Sequence, residues 1–146
     1  MLSENEFPQT NLCLQQLILG MGKWSYRKGA FWERELMDLL REKGFQVMRA
    51  AGSGVAGDCP DVLALKTTKK FALECKAWKE SIYIEKKKFR LLEEWEKNAG
   101  LPVFLAWKSP RKEWRFFPLS ALRETKKNFV VLESDLETGI SLQELV

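Results

Sequence analysis

The sequence predicts one α/β domain, a central mixed β-sheet flanked by helices. Three observations carry that expectation. Helical and strand-like periodicities are interspersed along the chain rather than strictly alternating, which favours a mixed sheet with helices on its faces. The 146 residues are about the modal size of a single domain and enough to bury one core without staples. Composition is that of an ordinary globular protein, 45% hydrophobic and 30% charged, with no low-complexity tract or internal repeat.

The elements follow in order. Residues 1–24 read as an N-terminal extension, with a polar start, Pro8 and a short apolar stretch able to form one helix; Met21 is an alternative start. Residues 25–146 form the domain. Gly29–Lys43 reads as an amphipathic helix, with Trp32, Leu36, Leu39 and Leu40 at helical spacing and Gly44 as its stop. Phe45–Arg49 is a short strand, and Ala50–Asp58, with Gly52, Gly54 and Gly57, is a loop. Asp61–Leu65 and Phe71–Ala77 are strands joined by the polar turn Lys66–Lys70. Ile84–Asn98 is a second long helix ended by Gly100 and Pro102. Val103–Lys108 and Trp114–Phe117 are strands around the turn at Pro110. A helical turn near Leu119–Arg123, a strand at Phe129–Leu132 and an ill-defined tail complete the chain.

Composition also removes whole classes of chemistry. With no histidine, Ser-His-Asp and Cys-His nucleophiles, imidazole bases and histidine metal sites are excluded. Cys13, Cys59 and Cys75 are far apart and form no C-x-x-C pair, so neither a zinc site nor a disulfide framework is indicated. Catalysis must then rest on carboxylates, lysines or a hard metal held by oxygen. The apolar run Leu12–Met21 is interrupted by Gln15 and Gln16, lacks a basic flank and is too short to span a bilayer, so a cytoplasmic protein without membrane association is expected. Net charge is +4. Because residues 1–22 hold Glu4 and Glu6 and no base, the remainder is more basic than the whole, which suits a polyanionic partner.

The strongest local signal is Phe71-Ala-Leu-Glu74-Cys-Lys76-Ala77. On a strand, Phe71, Leu73, Cys75 and Ala77 point to one face and Ala72, Glu74 and Lys76 to the other. An isolated E-x-K is usually a solvated ion pair of little energetic consequence. Asp61 changes that weighting. It opens the preceding strand directly after Pro60, and any even-numbered hairpin loop places it on the face of Glu74 and Lys76. A tight turn is expected to bring it nearly opposite Lys76. Asp58, three residues earlier, competes weakly with Asp61 as a ligand.

The spacing P-D-x(12)-E-x-K resembles the PD-(D/E)-x-K nuclease superfamily. A more specific resemblance, from Arg27 to about Leu142, is to the archaeal-type Holliday-junction resolvases. It is carried by Arg27-Lys-Gly-Ala-x-x-Glu33-Arg34-Glu35-Leu36 and by Gly44-Phe45-x-Val-x-Arg49-x-Ala51-Gly52-Ser53. Pro60-Asp61 with Glu74-x-Lys76, and Pro110-Arg-Lys-x-Trp-Arg115-Phe-Phe-Pro118, complete the set. The resemblance implies a restriction-endonuclease-like fold, a homodimer, four-way junction DNA as partner, and metal-dependent phosphodiester hydrolysis by paired symmetric nicks. It makes Glu33 a further acidic site residue. The residues support this, since Glu33 lies on the helix stripe of Leu36, Met37 and Leu40 and should face the sheet. The opposing reading is a first-turn acid favoured by the helix dipole.

The implied site has Glu33, Asp61, Glu74 and Lys76 as catalytic residues. Asp61, Glu74 and the main-chain carbonyl of Cys75 would hold Mg²⁺, and Glu33 would ligate a second metal or position the nucleophile. Lys76 either orients water or offsets developing charge. Arg34, Arg49, Ser53, Arg111, Lys112 and Arg115 are the candidate DNA contacts, and Lys86-Lys87-Lys88 with Arg90 is a further basic run. Such runs are often plain solvated faces, and a serine between glycines is often a simple turn. Trp78, Tyr83 and Trp95 are read as core or as support for a partner surface. Two rivals remain: a related nuclease acting on duplex or flap DNA, and a non-catalytic DNA-binding module. The second is disfavoured because binding alone needs no acids beside phosphate.

Overall fold

The computed structural model describes residues 21–50 and 57–146, with side-chain surroundings from Lys28 onward. The elements in chain order are α1 (Met21–Glu42), β1 (Gln46–Arg49), β2 (Val62–Lys66), β3 (Lys69–Ala77), β4 (Ile82–Glu85) and α2 (Lys86–Ala99). There follow β5 (Val103–Lys108), β6 (Arg115–Pro118), a 3-10 turn (Leu119–Ala121), β7 (Arg123–Glu124) and β8 (Asn128–Val131). A second 3-10 segment (Glu133–Thr138), β9 (Ile140–Ser141) and α3 (Leu142–Leu145) end the chain.

Among the described residues, six strands form one sheet in the order β1-β2-β3-β5-β6-β9, and β4-β8-β7 form a second, smaller one. β3 and β5 are parallel and their other neighbours antiparallel, so the main sheet is mixed as expected. The parallel pair is joined by a crossover through β4 and α2, a connection parallel strands require.

Side-chain alternation on the central strands feeds two apolar layers. On one face Val62, Ala64, Phe71, Leu73, Ala106 and Phe116 pack beneath Leu36, Met37 and Leu40 of α1. On the other, Ala72, Leu105 and Trp107 pack with Phe89 and Leu92 of α2 and with Ile82, Ile84, Phe129 and Val131 of the small sheet. The stacked rings of Phe89 and Phe129, 3.6 Å between centroids, tie α2 to that sheet. Gly44, at φ +89°, turns the chain from α1 into β1, and Gly100, at φ +68°, closes α2 with its N–H donating to the Glu96 carbonyl. Both positions need the left-handed region that glycine enters without steric cost.

Several boundaries differ from the sequence-based expectation. α1 is helical from the first described residue, Met21, eight residues before the expected start at Gly29. Ile82–Glu85, whose second half was expected to start the long helix, is a strand with Ile82 and Ile84 buried and Tyr83 and Glu85 exposed; α2 starts only at Lys86. The tail is ordered, and β9 pairs with β6 to form an edge of the main sheet. The β2–β3 turn has only two residues, Thr67 and Thr68, because Lys66 pairs with Lys69. That register pairs Val62 with Leu73, so one step further Asp61 faces Glu74, two residues short of Lys76.

Candidate active site

The ladder between β2 and β3 ends at Asp61, and its last links are polar. The main-chain N–H of Asp61 donates to the Leu73 carbonyl at 2.9 Å, and the N–H of Cys75 donates to Asp61 Oδ2 at 2.8 Å. A carboxylate thus takes the place of the next strand carbonyl. Asp61 and Glu74 are buried, 7% and 4% exposed, so neighbouring acids sit in a region that solvates charge poorly.

Burial, with the charge of Asp61 next, pushes the Glu74 carboxyl up to about 7 against the opposing pull of Lys76 and Lys88. Glu74 Oε2 has no hydrogen-bond partner. Buried carboxylates normally find donors or a cation; Oε2 has the Lys88 ammonium 3.5 Å away but no formed hydrogen bond, which leaves it able to take a further positive ligand. The Cys75 thiol is also pushed well above its ordinary value by burial and the surrounding acids. It stays protonated, which leaves its main-chain carbonyl as the group able to join a hard cation.

Lys76 projects on the face of Glu74, with Nζ 3.6 Å from Oε1 and its side chain 42% exposed. It can therefore reach a ligand arriving from solvent. Glu33 approaches from α1, mostly buried, and accepts from Arg49 Nε at 2.5 Å. Burial raises the Glu33 carboxyl and the Arg49 hydrogen bond opposes this, while the charges of Asp61 and Lys76 also reach it. Among the described residues, no group of three or more acidic or cysteine side chains is close enough to hold one ion. The close acidic pair is Asp61 with Glu74, and Glu33 stands beside it, held by Arg49. Asp58 is exposed on the approach to this pair.

The basic candidates divide. Arg34 is exposed on α1. Arg111 and Lys112 are exposed on the β5–β6 turn, with Arg111 at φ +60°. The parallel register of β3 and β5, which pairs Ala77 with Lys108, puts this turn at the same end of the sheet as Lys76. Lys112 Nζ and Arg115 Nη2 reach Glu137 at 3.5 and 2.9 Å, so these cations already share an anion. Ser53 lies outside the described residues. Trp78 and Tyr83 are exposed, whereas Trp95 packs against the core layer under α2.

The sequence reading missed Lys88 as a site residue. Its Nζ lies 3.5 Å from Glu74 Oε2, with the side chain 18% exposed. Lys86 instead pairs with Glu124, and Lys87 and Arg90 are exposed. The available signal was position, because Lys88 lies one helical turn before the buried Leu92 and so on the sheet-facing side. Glu35, two residues along α1 from Glu33, accepts from Trp114 Nε1 at 2.8 Å, pinning α1 to the β5–β6 hairpin.

Comparison with known proteins settles the family. Residues 24–146 match the family model described as archaeal Holliday junction resolvase (Hjc). This chain belongs to that family. The crossover junction endodeoxyribonuclease Hjc of Archaeoglobus fulgidus is 38% identical over 120 residues, covering 81% of this chain and 88% of the relative. The Sulfurisphaera tokodaii protein of the same name is 36% identical over 124 residues, covering 82% and 85%. A solved structure of Archaeoglobus fulgidus Hjc, a Holliday junction resolvase, superposes with a TM-score of 0.73 at 35% identity, covering 80% of this chain and 93% of that one. The expected restriction-endonuclease-like architecture, a single small α/β domain with a mixed sheet between helices, is that of the resolvase neighbour. No helix among the described residues of this resolvase-family chain is long and apolar enough to cross a membrane.

Proposed function

We propose that the chain is a Mg²⁺-dependent endodeoxyribonuclease that resolves four-way DNA junctions by paired symmetric nicks, with Asp61, Glu74, Lys76 and Glu33 as its catalytic residues. The observation that carries this reading is the buried Asp61–Glu74 pair at the end of a strand hairpin, with Glu74 Oε2 lacking a hydrogen bond. Family membership supplies the substrate class.

Asp61, Glu74 and the Cys75 carbonyl fit a hard divalent cation, since all are oxygen donors and one of them is unsatisfied. Bound there, Mg²⁺ would supply Lewis-acid polarisation of a phosphate oxygen and acidify water. The chain's own groups do the rest. The Cys75 N–H donates to Asp61 Oδ2 and so orients that carboxylate toward Glu74. Lys76 Nζ, partly exposed, can donate to a phosphate oxygen and offset negative charge as the scissile bond breaks. Arg49 holds Glu33 at the edge of the acidic pair, where its carboxylate can orient a water or join a second cation. Arg34, Arg49, Arg111, Lys112, Arg115 and Ser53 are proposed to contact the DNA backbone, fixing register without reading sequence. A homodimer with one site per subunit suits a substrate cut symmetrically on two strands, and a cytoplasmic setting suits a DNA substrate.

Incubating purified protein with a four-way junction and a linear duplex of equal length and charge, with and without Mg²⁺, tests the proposal. Paired nicks in the junction, dependent on the metal, are expected. Equal cleavage of both substrates would leave only a general nuclease.

A further inference from the structure

Lys88 is bound more tightly into the site than a DNA-tracking lysine needs to be. Its Nζ donates to the main-chain carbonyls of Cys59 at 2.8 Å and Gly57 at 3.3 Å, and faces Glu74 Oε2 at 3.5 Å. The first two are the anchoring hydrogen bonds. The third, at the outer limit of bonding distance, is an ion pair without a well-formed hydrogen bond, in keeping with the unsatisfied state of Oε2. Residues 57–60 form the irregular approach to Asp61, which meets β3 at the ladder's last links and whose carbonyl accepts from the Ala50 N–H at 3.0 Å. One ammonium in the first turn of α2 therefore touches both the segment that delivers Asp61 and the carboxylate opposite it. Trp95 Nε1, two turns along the same helix, donates to the Asp58 carbonyl at 3.3 Å, so α2 grips this segment at a second point.

We infer that Lys88 is a positioning residue for strand cleavage: it clamps residues 57–60 against α2 and so sets the placement of Asp61 relative to Glu74. The inference rests on the reading of Asp61 and Glu74 as the metal-holding pair. Burying a lysine costs rotamer entropy and hydration, and exposed Lys87 and Arg90 on the same helix show that a solvated position was available. Lys88 lies within the site, held between two carbonyls and a carboxylate. Its removal should therefore disturb the geometry of the metal ligands more than the strength of DNA binding.

The test uses Lys88→Met, Lys88→Gln and Lys88→Arg beside Asp61→Asn. Four quantities are measured: single-turnover cleavage of a four-way junction at saturating protein, junction affinity in Ca²⁺, Mn²⁺ binding by calorimetry without DNA, and the melting temperature. Lys88→Met is expected to keep junction affinity within about threefold while cleavage falls about ten- to a hundredfold, the scale set by small misplacements of reacting groups. Mn²⁺ binding should weaken in the same variant. Lys88→Arg should recover most of both, because a guanidinium can donate to both carbonyls and face the carboxylate. If Lys88→Met fails to fold, Lys88→Gln decides, since its amide still donates to a carbonyl. Normal cleavage and Mn²⁺ binding in folded Lys88→Met, or in Lys88→Gln where the Met variant does not fold, would overturn the inference. So would a loss of junction affinity equal to the loss of cleavage, the mark of a plain phosphate contact. An active Asp61→Asn would instead overturn the site itself, whereas an inactive Asp61→Asn beside a normal Lys88→Met removes only the role of Lys88.

Discussion

Two charged regions lie at the same end of the main sheet and differ in almost every physical respect. At the β2–β3 end, Asp61 and Glu74 are buried, the Glu74 carboxyl is pushed up to about 7 and one of its oxygens lacks a hydrogen bond. On the neighbouring β5–β6 turn, Lys112 meets Glu137 in the open and Arg115 bridges to the same carboxylate, 64% exposed. Exposed pairs contribute about 0–1 kcal/mol and are screened by salt. A buried, poorly compensated carboxylate can cost several kcal/mol. The first region carries a desolvation cost that Lys76 and Lys88 only partly offset, and that a bound cation of the kind proposed would relieve. In the second, two cations share one solvated carboxylate, which can give way to phosphate at little cost.

The largest expected effect tests the first region. Asp61→Asn and Glu74→Gln should each lower single-turnover cleavage by about a thousandfold or more, since several kcal/mol of charge stabilisation depends on the bound metal. Junction affinity should hold, because removing negative charge near phosphate does not weaken association. Asp58→Asn should cut nearly normally. Wild-type cleavage by either of the first two variants, or a dead Asp58 variant, would place the ligands elsewhere.

The next effect concerns stability in metal-free buffer. Glu74 has a folded pKa of about 7 against an ordinary 4.5, so the folded state binds more protons between those values. Stability should be highest below pH 4.5 as far as this group is concerned. It should fall as pH rises to about 7 and then level off, a loss on the order of 3 kcal/mol. Denaturant midpoints of the parent and of Glu74→Gln across that window check it. The Gln variant should lack the slope, and a divalent cation should stabilise the parent at high pH but not the variant. Parallel pH profiles would mean that Glu74 is ionised without penalty.

The central hairpin was legible in the sequence because its physics is local. Alternation in Phe71–Ala77 and the position of Asp61 after Pro60 fix which side chains share a face, and Asp61 and Glu74 do meet. The turn length was not legible, so the expected partner was off by two residues. Ile84 and Glu85 read as the start of the following helix because two residues are too few for alternation to show; only pairing with β8 reveals the strand. β7 and β9, each two residues long, are too short for any periodicity to appear. Lys88 was hidden in a run of lysines. The Arg49–Glu33 pair joins residues 16 apart, a contact that only the tertiary fold creates.

A moderate effect is expected in the second region. Arg111→Glu with Lys112→Glu should lower the log–log salt slope of junction binding by about one to two units if both side chains touch phosphate, each contact releasing about 0.9 of a counterion. Cleavage at saturating protein and low salt should largely survive, because the acidic pair is untouched. An unchanged slope would take the turn off the DNA path.

The smallest effect is the most diagnostic of the difference between the regions. Glu137 binds Lys112 and Arg115 in the free protein, and Arg115 also donates to the Gly139 carbonyl at 3.4 Å. If the carboxylate is only a placeholder for phosphate, Glu137→Gln should change stability by no more than about 1 kcal/mol, as for other exposed pairs. It should also tighten junction binding by about twofold to tenfold at low salt, because two cations no longer need to be released from an internal anion. The gain should shrink as salt rises, since screening weakens both the internal pair and the phosphate contact. Melting curves of parent and variant, with junction titrations over a salt series, measure the two halves separately. A large drop in melting temperature would make Glu137 a strut holding the β6–β9 edge. Weaker junction binding in a stable variant would show instead that the carboxylate presents Arg115 to DNA. Either result would end the contrast drawn between a poised buried centre and a freely exchanging rim.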